Sequence, residues 1–384
     1  MSIFSIINEI LRRNVMKMKA AVIRKPGSVS VEEVNLAPPK EKEVLVKTKY
    51  CGYCHSDFSA VEDYLGFPLP SVTGHEASGI VVDLGPGVTK VQKGDHVIAC
   101  WAVSCGTCKL CVSGRENICP TNRNFIGEGT LLDGTSRLTD AKGKMLHHQT
   151  FVSGMAEYMV IPEAGAIKMR KDMPLDQAAL LGCCVPTGFG SVFNTAQVKP
   201  GNSVAVWGAG GIGLNVIQGA RLRGADPIIA VDLEGSKEGL AREFGATYFI
   251  NSSKEDPVPK VQELTDGGAD FVFEATGDTG AIKQVYWAMG IGGKQIQIGI
   301  HPAQEEIPMS LSFTPPHNRD IIGTLYGGVH VQRDIPAIAD LILDGRYIDL
   351  SKLITKRFKL EEINDVHEAM RKREIVGRWV CEFD

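Results

Sequence analysis

Basic residues do not outnumber acidic ones in this chain: 41 Lys plus Arg stand against 45 Asp plus Glu, a formal net charge of −4. No phosphate-neutralising basic face follows from that balance, so nucleic acid is not an expected partner. Long apolar runs are missing too. None approaches the roughly 18 residues of a membrane-crossing helix, so no membrane partner is expected. Cysteine is too sparse for a disulfide scaffold, with ten residues in 384, and its clustering suits metal binding in a reducing, cytoplasmic setting. There is no internal repeat and no low-complexity tract. What remains is 43% hydrophobic and 22% charged, an ordinary globular balance with length for about two domains.

The first fifteen residues, MSIFSIINEILRRNV, space Ile3, Ile6, Ile7, Ile10 and Leu11 close to a helical period. A secretory signal puts its positive charge before the apolar stretch, whereas Arg12 and Arg13 come after it. The segment therefore reads as a loose extension, or as an upstream start with Met16 or Met18 as the true one.

From residue 19 to about 100, short runs such as AAVIRKP, EVLVKTKY and GIVVDLG alternate with Pro, Gly and charged turns, which predicts β structure. Residues 101–153 read as irregular. After Pro200 the pattern changes: VAVW, PIIAVD, TYFIN, DFVFEA and KQIQIGI are short apolar runs separated by helical segments such as IGLNVIQGARLRG. That alternation predicts an α/β class with a doubly wound parallel sheet covered on both faces.

Gly208, Gly210, Gly211 and Gly213 follow the strand VAVW and open a helix, the context a dinucleotide fingerprint requires. Asp232 ends the next strand, placed for the ribose hydroxyls, and its charge would repel a 2′-phosphate. The expected cofactor is NAD. Cys105, Cys108, Cys111 and Cys119 supply four thiolates within fifteen residues, enough to close a structural zinc site. Cys54, His75 and Cys183 form a scattered trio that could leave a fourth position vacant. Spacing alone leaves that trio open to a structural histidine and a Cys51–Cys54 pair.

The chain resembles the zinc-dependent medium-chain alcohol dehydrogenases from about Lys19 to Phe383. The likeness rests on Cys54-His55-Ser56-Asp57, Gly74-His75-Glu76, the four-cysteine lobe, Gly129-Thr-Leu-Leu-Asp-Gly-Thr135, His147-His148, Leu181-Gly182-Cys183, Thr187-Gly188-Phe189-Gly190 and the glycine fingerprint. It implies a chaperonin-10-like catalytic domain over 1–184 and 326–384 and a Rossmann domain over 185–325. It implies two Zn²⁺ per chain, the catalytic one on Cys54, His75 and Cys183, the known two-cysteine, one-histidine arrangement of alcohol dehydrogenases. Cys51 and Cys184 are left as packing residues. Asp57 would orient His75, Glu76 would lie behind the metal, and Ser56 would take the alcohol proton. His55, Thr187, Lys237, Ile300 and Arg378 would meet the cofactor.

The implied reaction is reversible, NAD-linked oxidation of a primary or secondary alcohol to an aldehyde or ketone. An alternative is an S-(hydroxymethyl)thiol dehydrogenase. A rival of another class is a non-catalytic zinc-binding interaction protein, and a further one is a zinc-free reductase of the same superfamily. Trp101, Leu65, Gln149, Thr150, Ile300 and Leu325 match pocket positions of relatives, with Gln149 and Thr150 adding polarity. Ser59 stands where many relatives end their proton relay with histidine. Arg123 matches an arginine that binds a substrate carboxylate in the glutathione-dependent branch, although Leu65 replaces that branch's acidic partner. The long Cys119–Gly154 segment resembles the dimeric branch and implies a homodimer through the nucleotide domain.

Overall fold

The computed structural model describes residues 15–64, 66–302, 305–309, 312–346 and 350–384, with the backbone alone for 123–126. The expectations for residues 1–14 and for Leu65 lie outside the described residues.

The first part of the chain is β structure. Strands β1 (Met16–Lys25), β2 (Ser28–Leu36), β3 (Glu43–Gly52), β4 (Ser71–Val72), β5 (Glu76–Leu84) and β6 (His96–Ala99) are followed by β7 (Leu138–Thr139), β8 (Met145–His148), β9 (Tyr158–Pro162) and β10 (Ala166–Met169). Strands β1, β2, β7, β8 and β4 close into a small barrel, while β10, β6, β5 and β3 form an adjoining sheet with β9 paired to β3. Alternation along β1 buries Met18, Ala20 and Val22 against Val34, Leu36, Leu138 and Leu146 in the barrel core.

The part read as irregular holds more structure than the sequence announces. It contains β7, β8 and the helix Pro120–Glu128. Two- and four-residue strands are too short to leave a period of two, and their Cys, Gly, Asn and Thr neighbours mask them. A buried ion pair fixes this segment to β3. Arg137 donates to Glu43 through Nε at 2.8 Å and Nη2 at 2.5 Å, and Nη2 also meets Asp133 Oδ2 at 2.8 Å. The two paired side chains are almost fully buried, at 1% and 6% exposure.

The second half is an all-parallel sheet of β11 (Val204–Trp207), β12 (Ile228–Asp232), β13 (Tyr248–Asn251), β14 (Ala269–Glu274), β15 (Met289–Gln297) and β16 (Asp320–Gly323). Its order is β13-β12-β11-β14-β15-β16. That is the doubly wound order, in which the chain reverses direction across the sheet between β11 and β14 and leaves a crevice at the carboxyl ends of those strands. The chain then returns to the first half. Strands β17 (Ile354–Phe358) and β18 (Arg378–Glu382) join its sheet, β18 pairing Val380, Cys381 and Glu382 with Gly52, Cys51 and Tyr50.

Candidate active site

Strand β3 ends in a turn that enters the helix His55–Val61, with Asp57 in its first turn. An acid there is favoured by the helix dipole. Asp57 Oδ2 accepts from Cys54 N at 2.9 Å, and Oδ1 accepts from Gly74 N at 3.2 Å and from His75 Nδ1 at 3.0 Å. With Nδ1 donating to a carboxylate, Nε2 of His75 is left for a metal. Gly74 has φ +100°, and a Cβ there would sit 2.4 Å from Met155 N, so only glycine lets the histidine take this position.

Cys183 arrives in the turn between helices Leu175–Leu180 and Cys184–Gly190. The donor atoms of Cys54, His75, Glu76 and Cys183 all lie within 4.8 Å of one another, and all four residues are buried. The hydrogen bond from the Cys183 thiol lowers Cys54 well below the ordinary thiol range, and the same bond raises Cys183 well above it. Burial alone would lower His75, but Asp57 and Cys54 together push it up. Two sulfurs that share a proton beside an oriented imidazole fit a divalent zinc ion, which favours thiolate and neutral histidine ligands.

Glu76 is fully buried, and burial raises its carboxyl to about 7 against the pull of Arg378. Its Oε1 accepts from Arg378 Nη2 at 3.1 Å and from Cys184 N at 3.1 Å. Arg378 also donates to the Tyr53 carbonyl at 3.1 Å. A Cβ on Gly211 would stand 2.7 Å from the same Arg378 Nη2. One guanidinium therefore touches both the cysteine–histidine cluster's acid and the glycine loop.

In that loop, a Cβ on Gly213 would lie 1.7 Å from the Gly208 carbonyl oxygen, while one on Gly210 would meet nothing within 4 Å. The loop is closed on the helix side and open on its outer face, the shape a pyrophosphate needs to approach the backbone. Asp232 Oδ2 accepts from Ala209 N at 2.8 Å, and Lys237 Nζ reaches Oδ1 at 3.1 Å and Oδ2 at 3.0 Å. Thr187 lies buried in the helix Cys184–Gly190, whose Gly188 packs against Ile212 and Asn215 of the nucleotide helix.

The four-cysteine lobe brings its sulfurs together. Cys108–Cys111 is 3.5 Å, Cys105–Cys119 is 3.6 Å, and Cys105–Cys111 and Cys108–Cys119 are 3.9 Å. A tetrahedron of ~2.3 Å zinc–sulfur bonds has edges of about 3.8 Å, so the set fits. Backbone N–H groups of Thr107 and Cys108 lower Cys105 to about 5, which favours the thiolate.

The remaining expected residues are placed as follows. His55 is exposed at the helix start with its ring 5.3 Å from that of Phe58, and Ser56 is half-buried. Ser59 is buried, and its carbonyl accepts from Tyr64 N. Cys51 is buried in the β core and Cys184 under Leu180. Trp101 and Leu325 are half-buried, and Ile300 is exposed beyond β15. Arg123 lies on the helix Pro120–Glu128. Gln149 makes contacts that the sequence does not announce. Its amide oxygen accepts from Gly74 N at 2.7 Å and Thr73 Oγ1 at 2.5 Å, so it braces the backbone beside His75, and Thr150 turns its hydroxyl onto the Gln149 carbonyl. Nothing in the sequence distinguishes that bracing glutamine from a pocket residue.

Comparison with known proteins agrees with this geometry. The family described as alcohol dehydrogenase GroES-like domain matches residues 40–171, and that described as zinc-binding dehydrogenase matches residues 211–344. The chain is 40% identical over 372 residues to S-(hydroxymethyl)glutathione dehydrogenase of Paracoccus denitrificans, covering 94% of this chain and 98% of that one. It is 39% identical over 373 residues to alcohol dehydrogenase class-3 of Cereibacter sphaeroides, covering 94% and 98%. Among solved structures, benzyl alcohol dehydrogenase from Acinetobacter calcoaceticus superposes with a TM-score of 0.90 at 32% identity, covering 96% of this chain and all of that one. The chain belongs to the zinc-dependent alcohol dehydrogenase family, whose members are oxidoreductases built from a GroES-like catalytic domain and a Rossmann-type domain.

Proposed function

We propose that this chain catalyses the NAD-linked interconversion of a primary or secondary alcohol and its carbonyl product, with zinc held by Cys54, His75 and Cys183 and a second zinc held by Cys105, Cys108, Cys111 and Cys119. The observation that carries this reading is Arg378, which spans Glu76 at 3.1 Å and the Gly211 loop. It sets a metal-ligand cluster and a nucleotide loop side by side, as hydride transfer requires. Zinc held by Cys54, His75 and Cys183 would supply Lewis acidity toward the substrate oxygen, and NAD held at the Gly208–Gly213 loop would supply the redox chemistry. The chain's own residues do the rest. Asp57 orients His75, Ser56 takes the substrate proton, and Asp232 holds the adenosine ribose. His55, Thr187, Lys237 and Arg378 line the cofactor's path. Residues 1–184 and 326–384 make the catalytic domain, and 185–325 the cofactor domain.

The names of the relatives favour a second substrate, S-(hydroxymethyl)glutathione. A screen of NAD reduction with aliphatic alcohols, benzyl alcohol and formaldehyde plus glutathione separates the two. Glutathione-dependent turnover alone would select the thiol adduct. No turnover with any of them by metal-replete protein would end the dehydrogenase reading.

Asp232 is expected to set cofactor choice. Asp232→Ser removes a charge-assisted contact worth about 1.5–3 kcal/mol, so the ratio of kcat/KM for NAD over NADP is expected to fall roughly 10- to 100-fold or more. An unchanged ratio would show that Asp232 does not face the ribose.

A cytoplasmic homodimer is part of this reading. None of the ten cysteines is joined in a disulfide, as in a reducing compartment, and fractionation of cells is expected to place the activity in the cytosol. Strand β16 is the edge of the parallel sheet and exposes Ile321, an invitation to pair with a second copy. Light scattering that returned only the 41.5 kDa chain mass would remove the dimer.

A further inference from the structure

The chain crosses from the parallel sheet back to the β half at residues 324–331, and three anchors hold that crossing. The first is the four-cysteine lobe. Between Cys111 and Cys119 it forms a short 3₁₀ turn, Glu116–Ile118. From this turn Asn117 Nδ2 donates to the Leu325 carbonyl at 2.7 Å, and Glu116 Oε1 accepts from Val331 N at 2.7 Å and lies 3.1 Å from His330 Nδ1. The second is the segment after helix Cys184–Gly190, where Thr195 and Thr324 share a 2.8 Å hydroxyl contact and Asn194 Nδ2 reaches the Gly328 carbonyl at 3.3 Å.

The third is Tyr326. Its hydroxyl donates to the Gly182 carbonyl at 2.7 Å, one residue before Cys183. Tyr326 is 2% exposed, and its ring centroid lies 4.7 Å from that of Trp101. Its φ is +54°, a left-handed conformation that a bulky residue adopts only where the surroundings hold it. Within its own turn, the Cys183 N–H reaches the Leu180 carbonyl at 3.4 Å and its carbonyl accepts from Thr187 N at 3.0 Å. The carbonyl just before Cys183 is held in addition by a contact from outside that turn, the Tyr326 hydroxyl.

We propose that Tyr326 is a positioning residue for Cys183, and that Glu116 and Asn117 of the cysteine lobe hold Tyr326 in place from outside the Cys54–His75–Cys183 cluster. The inference rests on the reading of those three residues as zinc ligands. The lobe would then do more than staple a loop: its integrity would set how firmly the remote cluster keeps its ion.

The test follows zinc loss from the full-length, zinc-loaded protein to a colorimetric chelator, while alkylation of each cysteine is mapped by peptide mass spectrometry. In Tyr326→Phe, which keeps the ring and removes the hydroxyl, Cys183 is expected to become alkylated roughly five- to tenfold faster than in the parent, the scale of one lost buried hydrogen bond. The lobe cysteines should keep the parent's rate, which a general loosening of the fold would not allow. Asn117→Ala, outside both ligand sets, should also speed Cys183 alkylation, and the double variant should be no faster than the more affected single one. Parent-like protection of Cys183 in both single variants would overturn the proposal. If Tyr326→Phe does not fold, parent-like protection in Asn117→Ala overturns it alone. A different failure is separately visible: if the parent itself binds one zinc and alkylates Cys183 at once, the ligand reading falls and takes this inference with it.

Discussion

His75→Ala is expected to reduce the zinc content from two ions per chain to one and to lower kcat/KM by about 10³-fold or more. Lewis-acid stabilisation of a developing alkoxide is worth several kcal/mol, and each 1.36 kcal/mol is tenfold in rate. The remaining zinc should stay with the cysteine lobe, which shares no ligand with His75. Asp57→Asn makes a graded companion. It keeps the shape that receives Cys54 N and Gly74 N but removes the charge opposite His75 Nδ1. Losses of outer partners of metal-bound histidine cost about 10- to 100-fold, so this variant should fall between the parent and His75→Ala. Metal analysis beside steady-state kinetics checks both. A His75→Ala protein that kept two zincs and most of its activity would remove the site proposed above.

Arg137→Met is expected to destabilise the protein by about 3–5 kcal/mol in chemical unfolding. The reason is the carboxylate left behind. Glu43 is 5% exposed, and the guanidinium gives it two direct hydrogen bonds. Removing one member of a buried ion pair strands the other charge, whereas replacing both with apolar groups of similar volume is often neutral. Arg137→Met combined with Glu43→Leu should therefore recover much of the loss. A single variant within about 1 kcal/mol of the parent would mean that water reaches Glu43 and solvates it.

The sheet of the second half was legible because its central strands, β11 and β12, are fully buried. Continuous apolar runs such as VAVW and IIAVD, separated by helical periods, allow few alternatives, and Gly208 to Gly213 mark the strand after which the first crossover begins. The cysteine lobe was equally open, since all four sulfurs come from fifteen residues. The Cys54–His75–Cys183 cluster was not legible from spacing. Its members are assembled by the end of β3, the start of β5 and a helix-to-helix turn, and no local period connects these. Family resemblance supplied that grouping. What neither supplied was the layer behind it: Gln149 under Gly74, Arg378 between Glu76 and Gly211, and Tyr326 on Gly182. Each acts through a main-chain atom or a charge far away in the chain, and such partners leave no mark in the surrounding residue pattern.

The pairing of β18 with the end of β3 has a consequence for biosynthesis. Tyr50, Cys51 and Gly52 leave the ribosome some 330 residues before Glu382, Cys381 and Val380, their strand partners. A nascent chain thus carries an incomplete sheet, with one ladder open, until those later residues have been made. Contacts of such high sequence separation are slow to form, and an open ladder invites association with other chains. Arg378, at the first position of the late strand, reaches Glu76 of β5, so the segment that completes the ladder also supplies this buried ion pair.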